Sequence, residues 1–305
     1  MEISIIKKIN REKMMSKKLS VSLWIIAFIF TLMIVFYQKI TGPTYPVKGN
    51  NVLNGVKIKY KFLRSHTSFE KLPVKVYVPS KKIDGFLKFR KYKSNDKWTE
   101  LKMDREGDYL IAYTPGLQSA GKIEYSVKIS SGENSLILNN GITIIARFKN
   151  SVPPGFLITH IILMILSFFF GIRTGLEALS KYGSYYKLVN ITLFIVFLGG
   201  MIFGPIVQKY AFGDLWTGIP FGYDLTDNKT LFAFIFWLLA YLLKKKSRWY
   251  VVSASALMIL IYLIPHSVLG SEIDYKTGKM KNKFSSVQKI IYKYPTSVTA
   301  PALLK

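Results

Sequence analysis

Two hydrophobic rhythms divide the chain. Residues 21–37 are an unbroken apolar run of 17 residues without a charge. From 41 to 150 the apolar residues instead alternate with polar ones in short pieces: VKIKYKF (56–62), VKVYV (74–78), FLKFRKY (86–92), TELKM (99–103), YLIAY (109–113), IEYSVKI (123–129), LIL (136–138) and ITIIARF (142–148). Period-two alternation predicts strands with one face buried. The breaks between them, DREGD (104–108), TPG (114–116) and SGEN (131–134), carry turn residues, and Gly107 stands where a hairpin needs a permissive backbone. Many short strands at this spacing over about 105 residues predict one β-sandwich of immunoglobulin-like type. His66 falls at a strand end there and is read as a surface residue.

After Lys149 the long apolar runs return. Uncharged stretches cover 151–172 (22 residues), 188–208 (21), 230–243 (14) and 249–270 (22). A helix needs about 20 apolar residues to cross a bilayer, with a range of roughly 17–25. The 14-residue stretch is flanked by Lys229 and Lys244, whose long stems can reach the interface. The expected fold is therefore a mixed membrane protein: five transmembrane α-helices plus an extracytoplasmic immunoglobulin-like β-sandwich. Its parts are a basic cytoplasmic N-terminus (1–20), a transmembrane signal anchor (21–40) and the β-sandwich (41–150). A four-helix transmembrane domain (151–270) with an external loop (209–229) and a basic tail (271–305) complete it.

Charge sets the expected orientation. The stretch 173–187 carries Arg173, Lys181 and Lys187, and the turn 244–248 reads KKKSR. Both belong on the cytoplasmic side by the positive-inside rule. The loop 209–229 has two lysines and three aspartates and suits the outside. The β-sandwich then lies outside a bacterial inner (cytoplasmic) membrane. So does the tail, although its seven lysines run against the rule. The net charge of +26 brings no nucleic-acid signature with it, so nucleic acid is not an expected partner. Lysines at a membrane protein's edges instead meet anionic lipid. The absence of cysteine removes disulfides, thiolate metal sites and covalent haem attachment.

The stretch 209–230, KYAFGDLWTGIPFGYDLTDNKT, differs chemically from the apolar runs on either side. It holds Asp214, Asp224 and Asp227 together with Trp216, Phe221 and Tyr223. His160, 13 residues before Arg173, and His266, 17 residues after Trp249, come to the same outer level in the expected topology. Two neutral imidazoles on two helices can ligate a b-type haem, and ionisable groups inside spans are functional candidates. Each residue also has a plainer reading. Either histidine can be an interfacial hydrogen-bonder. Asp227 or Asn228 can be the N-cap of the helix that follows. The aromatic residues can be interface anchors. The acids lack the spacing of a calcium loop, and zinc would need ligands placed closer together.

The same stretch resembles the haem-handling membrane proteins of cytochrome c biogenesis, whose external loop has the form WGxxWxWDPxETW with a histidine on each side. FGDLW (212–216) resembles WGxxW. YD (223–224) stands at the WD position, and DNKT (227–230), followed by Trp237 and Tyr241, resembles the start of the next span. LITHIILMILSFFFGIRTGLEAL (157–179) and PHS (265–267) resemble the histidine-bearing spans, so the resemblance covers residues 155–270. It implies that His160 and His266 are axial ligands of the haem iron. Trp216, Phe221 and Tyr223 would line the cofactor, and Asp224 or Asp227 would fix the loop. The function implied is haem binding at the outer face for cytochrome c assembly or electron transfer. The sandwich would then recruit an extracytoplasmic cytochrome or another envelope protein. The alternative is a non-enzymatic envelope scaffold or interaction protein. A membrane enzyme ranks last, since no nucleophile–base pair is visible.

Overall fold

A computed structural model describes residues 17–180, 184–265, 270, 272–275 and 278. Helix α1, Lys17–Thr41, contains the first apolar run and extends it at both ends. Val21, Ile25, Phe28, Met33 and Phe36 along it are each more than half exposed. An apolar surface this continuous is one that a soluble monomer does not present to water.

The β region follows at once, in eleven strands: β1 Val47–Leu53, β2 Val56–Phe62, β3 Ser65–Thr67, β4 Leu72–Tyr77, β5 Asp84–Lys91, β6 Thr99–Lys102, β7 Asp104–Glu106, β8 Tyr109–Thr114, β9 Lys122–Ser131, β10 Asn134–Ile137 and β11 Ile144–Lys149. They form two sheets. The first has the order β1-β2-β4-β8-β7; the second has β3-β11-β9-β5-β6, with β10 paired to β9. The period-two alternation is the cause. In β4, Leu72, Val74 and Val76 are buried while Lys75 points out. Ile58, Phe62 and Leu72 of the first sheet share one apolar core with Leu87, Ile123, Val127 and Phe148 of the second. The buried Tyr125 satisfies its hydroxyl by donating to the Leu63 carbonyl at 2.7 Å.

Three strands escape the alternation. β1, VKGNNVL, has two asparagines at its centre. It is an edge strand, and β2 supplies all the pairing it has among the described residues. β7 lies in DREGD, where the sequence suggests only a turn; it too is a short edge strand, and Gly107 follows it with φ 59°. β3 carries His66 and pairs parallel with β11, which makes the second sheet mixed. The His66 Nε2 stands 3.7 Å from a carboxylate oxygen of Glu70.

The helical half comprises α2 Pro154–Ser180, α3 Tyr186–Val196, a π-helical segment Phe197–Phe203, α4 Gly204–Phe212, α5 Leu225–Leu243 and α6 Trp249–Leu263. Among the described residues, three helical runs are long and apolar enough to cross a membrane: Lys17–Thr41, Pro154–Ser180 and Tyr186–Phe212. Three boundaries differ from the hydropathy pattern. α2 continues to Ser180, so Arg173 lies inside the helix rather than in a loop. It is 2% exposed, pairs with Glu177 at 2.5 Å and sits 4.9 Å over the Trp24 ring of α1. The i, i+4 spacing hides this pair from a count of charges. α5 begins five residues before Thr230, because Asp224 caps it. α6 ends at Leu263, where Ile264 turns extended, which leaves 15 residues.

The helices close around Trp237 of α5, which is fully buried with its indole N–H 3.1 Å from the Met258 sulfur. Ala27 of α1, Phe168 and Ile172 of α2, Val196 of α3, and Ala254 and Tyr262 of α6 complete the cluster. Small polar residues stitch the centre. Thr174 and Thr192 hydroxyls lie 3.0 Å apart, and Ser255 donates to the Gly171 carbonyl at 3.1 Å. Close helix approach with internally satisfied hydroxyls is what association in an apolar solvent requires.

Candidate functional site

The loop after α4 is built by its own polar side chains. Asp224 is the N-cap of α5: a carboxylate oxygen accepts the Thr226 N–H at 2.7 Å. Asp227, on the first turn and 6% exposed, reaches back into the loop. One of its oxygens accepts the Thr217 N–H at 2.6 Å, the Thr217 hydroxyl at 3.1 Å and the Gln208 amide at 3.0 Å. Asn228 accepts the Ile219 N–H at 2.7 Å. Gly218 lies so close over this pair that a Cβ there would meet Asn228 Oδ1 at 2.6 Å. A capping acid is present as the plainer reading expects, but it is Asp224 rather than Asp227 or Asn228, and Asp227 holds the loop instead. The Trp216 indole donates to the Ile219 carbonyl at 3.0 Å. Phe221 (64% exposed) and Tyr223 face outward beside Tyr210, Leu215 and Ile219. This exposed apolar rim is the form of an interfacial anchor.

His160 lies on α2, half-buried against the π-helical segment. Its Nδ1 is 2.9 Å from the Gly199 carbonyl. A carbonyl only accepts, so Nδ1 carries the proton, and in the neutral ring Nε2 keeps its lone pair. The same carbonyl accepts the Gly204 N–H across the wide turn. Gly199 and Gly200 permit this packing by their lack of a side chain. A Cβ on Gly199 would meet Leu163 Cβ at 2.9 Å, and one on Gly200 would meet Thr230 Cγ2 at 2.5 Å. α2, the π-helical segment and α5 thus touch at one level, marked by His160, Gly199, Gly200 and Thr230. A π-helical turn frequently marks a functional position.

The end of α6 comes to the same level. The last carbonyls of a helix lack partners within it. Here side chains from two other helices supply them. Tyr37 donates to the Leu263 carbonyl at 3.0 Å, and Gln38 donates to the carbonyls of Tyr262 and Ile264. Lys229, 3% exposed, donates to those of Ile264 at 2.7 Å and Pro265 at 3.2 Å. A cation at a helix C-terminus also complements the helix dipole. His266 is the next residue; it lies outside the described residues. Tyr37, Gln38 and Lys229 read as ordinary interface residues in the sequence, and their spacing gives no hint of this role.

Beyond α6 the chain reaches the β region again. Glu272 binds Lys122 at 2.8 Å and Lys93 at 3.3 Å. Burial raises the Glu272 carboxyl, but the hydrogen bond and charge of Lys122, with Lys93, outweigh it and hold the group below the usual carboxylate range. Burial lowers Lys122, and Arg147 adds to this against the pull of Glu272. Tyr275 brackets the Lys122 backbone, accepting its N–H at 2.7 Å and donating to its carbonyl at 2.5 Å. Ile273 is buried, and Gln118 donates to the Gly278 carbonyl at 3.2 Å. A second joint forms where β11 meets α4. The Asn150 N–H donates to the Ala211 carbonyl at 3.0 Å, and Arg147 lies 5.6 Å over the Phe212 ring. Burial lowers Arg147 below the usual guanidinium range, and Asp224 and Glu272, which favour its charge, offset this only in part.

For a haem, the donor set fits in one part. His160 offers a bare Nε2. Asp224 and Asp227 do not converge on a ligand; they hold the loop backbone. Among the described residues no three His, Cys, Asp or Glu side chains gather as a metal site. Compared with family models, characterised proteins and solved structures, the chain matches none.

Proposed function

We propose that this is a non-enzymatic interaction protein of the cell envelope, in which a helical anchor holds a binding module rigidly at the outer membrane face. One observation carries this reading: the acids and amides at the base of the loop hold the loop's own backbone and side chains. Asp224, Asp227, Asn228 and Gln208 bond backbone or side chains of residues 208–228, so the loop caps the bundle. Five spans fit the same reading. α5 exposes Phe232, Ile235, Leu239 and Leu242 along its length, as the three longer runs expose their own apolar residues. The β region is then an immunoglobulin-like sandwich. With β1, β3, β7 and β10 set aside, the seven that remain interleave as first-second-fifth on one sheet and fourth-third-sixth-seventh on the other, the crossing of that class with the fourth strand on the opposite sheet.

A second reading keeps the haem. It rests on the bare Nε2 of His160 and on Lys229, which holds the residue before His266 at the same level. His160 and His266 would then supply the axial nitrogens, and the haem would supply electron transfer. One measurement separates the two. Purified protein incubated with excess haem is expected to show no Soret band that depends on both histidines. His160→Ala with His266→Ala is expected to leave the binding of envelope partners unchanged. A Soret band abolished by each single substitution would replace the interaction reading with the haem reading.

A further inference from the structure

The two sheets of the β region treat their charges differently. On the second sheet, basic residues face acids: Arg90 pairs with Glu124 at 2.5 Å and Lys102 with Asp84 at 3.2 Å. The first sheet has no such partners on four of its five strands. β1, β2, β4 and β8 carry five lysines (Lys48, Lys57, Lys59, Lys61 and Lys75) and no acid. All five are exposed, and none forms an ion pair among the described residues.

Register puts them on one surface. Lys48 stands opposite Lys61, and Lys59 lies between Asn50 and Tyr77. Tyr77 stands opposite Tyr109, with the rings 5.5 Å apart, and Lys75 is opposite Ile111. Tyr109 and Tyr113 are each 47% exposed on the same face. The acids Asp104 and Glu106 appear only at the β7 edge. Like charges directly opposite destabilise a sheet, so the Lys48–Lys61 pair works against the fold unless an anion lies across it.

The arrangement is linear. Lys57, Lys59 and Lys61 occupy alternate positions of one extended strand, so their Cα atoms recur about every 7 Å over a row of about 14 Å. Tyr77 stands on the strand beside the lysines, and Tyr109 and Tyr113 on the strand after it. We infer that the outer face of the first sheet binds a linear polyanion of the phosphodiester-linked polyol or sugar type. Its charges would follow the β2 lysines, and its carbon-bearing units would lie over Tyr77, Tyr109 and Tyr113. The regular row favours a polymer with regular charge over a folded acidic protein, whose contact would centre on an apolar anchor. It also favours a polymer over a bilayer surface, which needs basic residues near it but no alignment.

This deepens the interaction-protein reading, because it names the partner of the β module. The Soret measurement reads iron and this one reads the sheet, so the two fail independently. Full-length protein in neutral detergent is titrated with a poly(glycerol phosphate) oligomer at two salt concentrations. Binding is expected to weaken steeply with salt. Lys57→Gln/Lys59→Gln/Lys61→Gln is expected to lower affinity about tenfold or more and to flatten the salt slope by about two to three. The triple variant should unfold no earlier than the parent, since it removes the Lys48–Lys61 repulsion, and its melting curve checks this. Lys88→Gln/Lys102→Gln on the second sheet is the control and should bind as the parent does. Three results would overturn the inference: triple and control variants losing affinity equally, no binding of the oligomer at low salt, or binding confined to phosphatidylglycerol vesicles. The last assigns the face to lipid; capture of an acidic protein with no oligomer binding assigns it to protein.

Discussion

A single carboxylate oxygen of Asp227 collects three donors, two from Thr217 and one from Gln208, in a site closed to solvent. Removing it takes the acceptor from several half-buried donors at once, which costs more than one exchanged hydrogen bond contributes. Asp227→Ala is therefore expected to cost about 2–3 kcal/mol of stability. Asp224→Ala, which removes one capping bond, should cost about 1 kcal/mol. Thermal unfolding of the two variants in the same detergent checks the order. An Asp224→Ala variant that melts below Asp227→Ala would move the centre of the loop to the cap. The sequence offered both acids and could not choose a role for either, because the choice turns on which backbone N–H groups fold back toward them. Of the three aromatic residues, Phe221 and Tyr223 face outward, whereas Trp216 turns its indole N–H to the loop backbone. The position of the cap was not legible, because the apolar run that marks α5 starts only at Thr230, and the polar first turn hides the earlier beginning.

Elements show the same division. Apolar runs longer than about 20 residues appear as α2 and as the run from α3 to α4. The two that mislead are α5 and α6, where hydropathy and helical geometry part company: α5 includes five polar residues (226–230) in its first turns, and α6 unwinds before Pro265. The π-helical segment leaves a pair of glycines as its sequence trace, and no periodicity distinguishes them from ordinary small-residue packing. Its contact with α5 can be tested by exchange. Gly200→Ala places a methyl 2.5 Å from Thr230 Cγ2, and overpacking of this kind costs about 1–3 kcal/mol. Thr230→Ser in the same protein removes that methyl and keeps the hydroxyl that donates to the Thr226 carbonyl at 3.1 Å. The double variant is expected to recover most of the lost stability. If it melts no higher than Gly200→Ala alone, the two helices do not meet at this point.

On the scale of the whole molecule, charge predicts a side for each part. The chain has no cysteine, so single thiols can be placed without background. Glu133, exposed in the β9–β10 turn, and Lys245, exposed after α5, lie in regions expected on opposite sides of the membrane. Glu133→Cys in intact cells is expected to react with an impermeant maleimide, and Lys245→Cys only after the membrane is opened. The reverse pattern would invert the molecule. Contact of Glu272, Ile273, Tyr275 and Gly278 with the β region already requires those two parts to share a side, whichever side it is. That contact also changes what the β region can do mechanically. A domain on one tether swivels, and a domain entered and left through neighbouring strands can still rock. This one is fixed at three places: by α1 at its start, by β11 against α4 at its finish, and by Glu272, Ile273 and Tyr275 across Lys122. Supports at three separate places resist torque as well as tension. A load applied to the lysine face would therefore tilt the helices with the sheet, and the anchor would feel the direction of a pull as well as its strength.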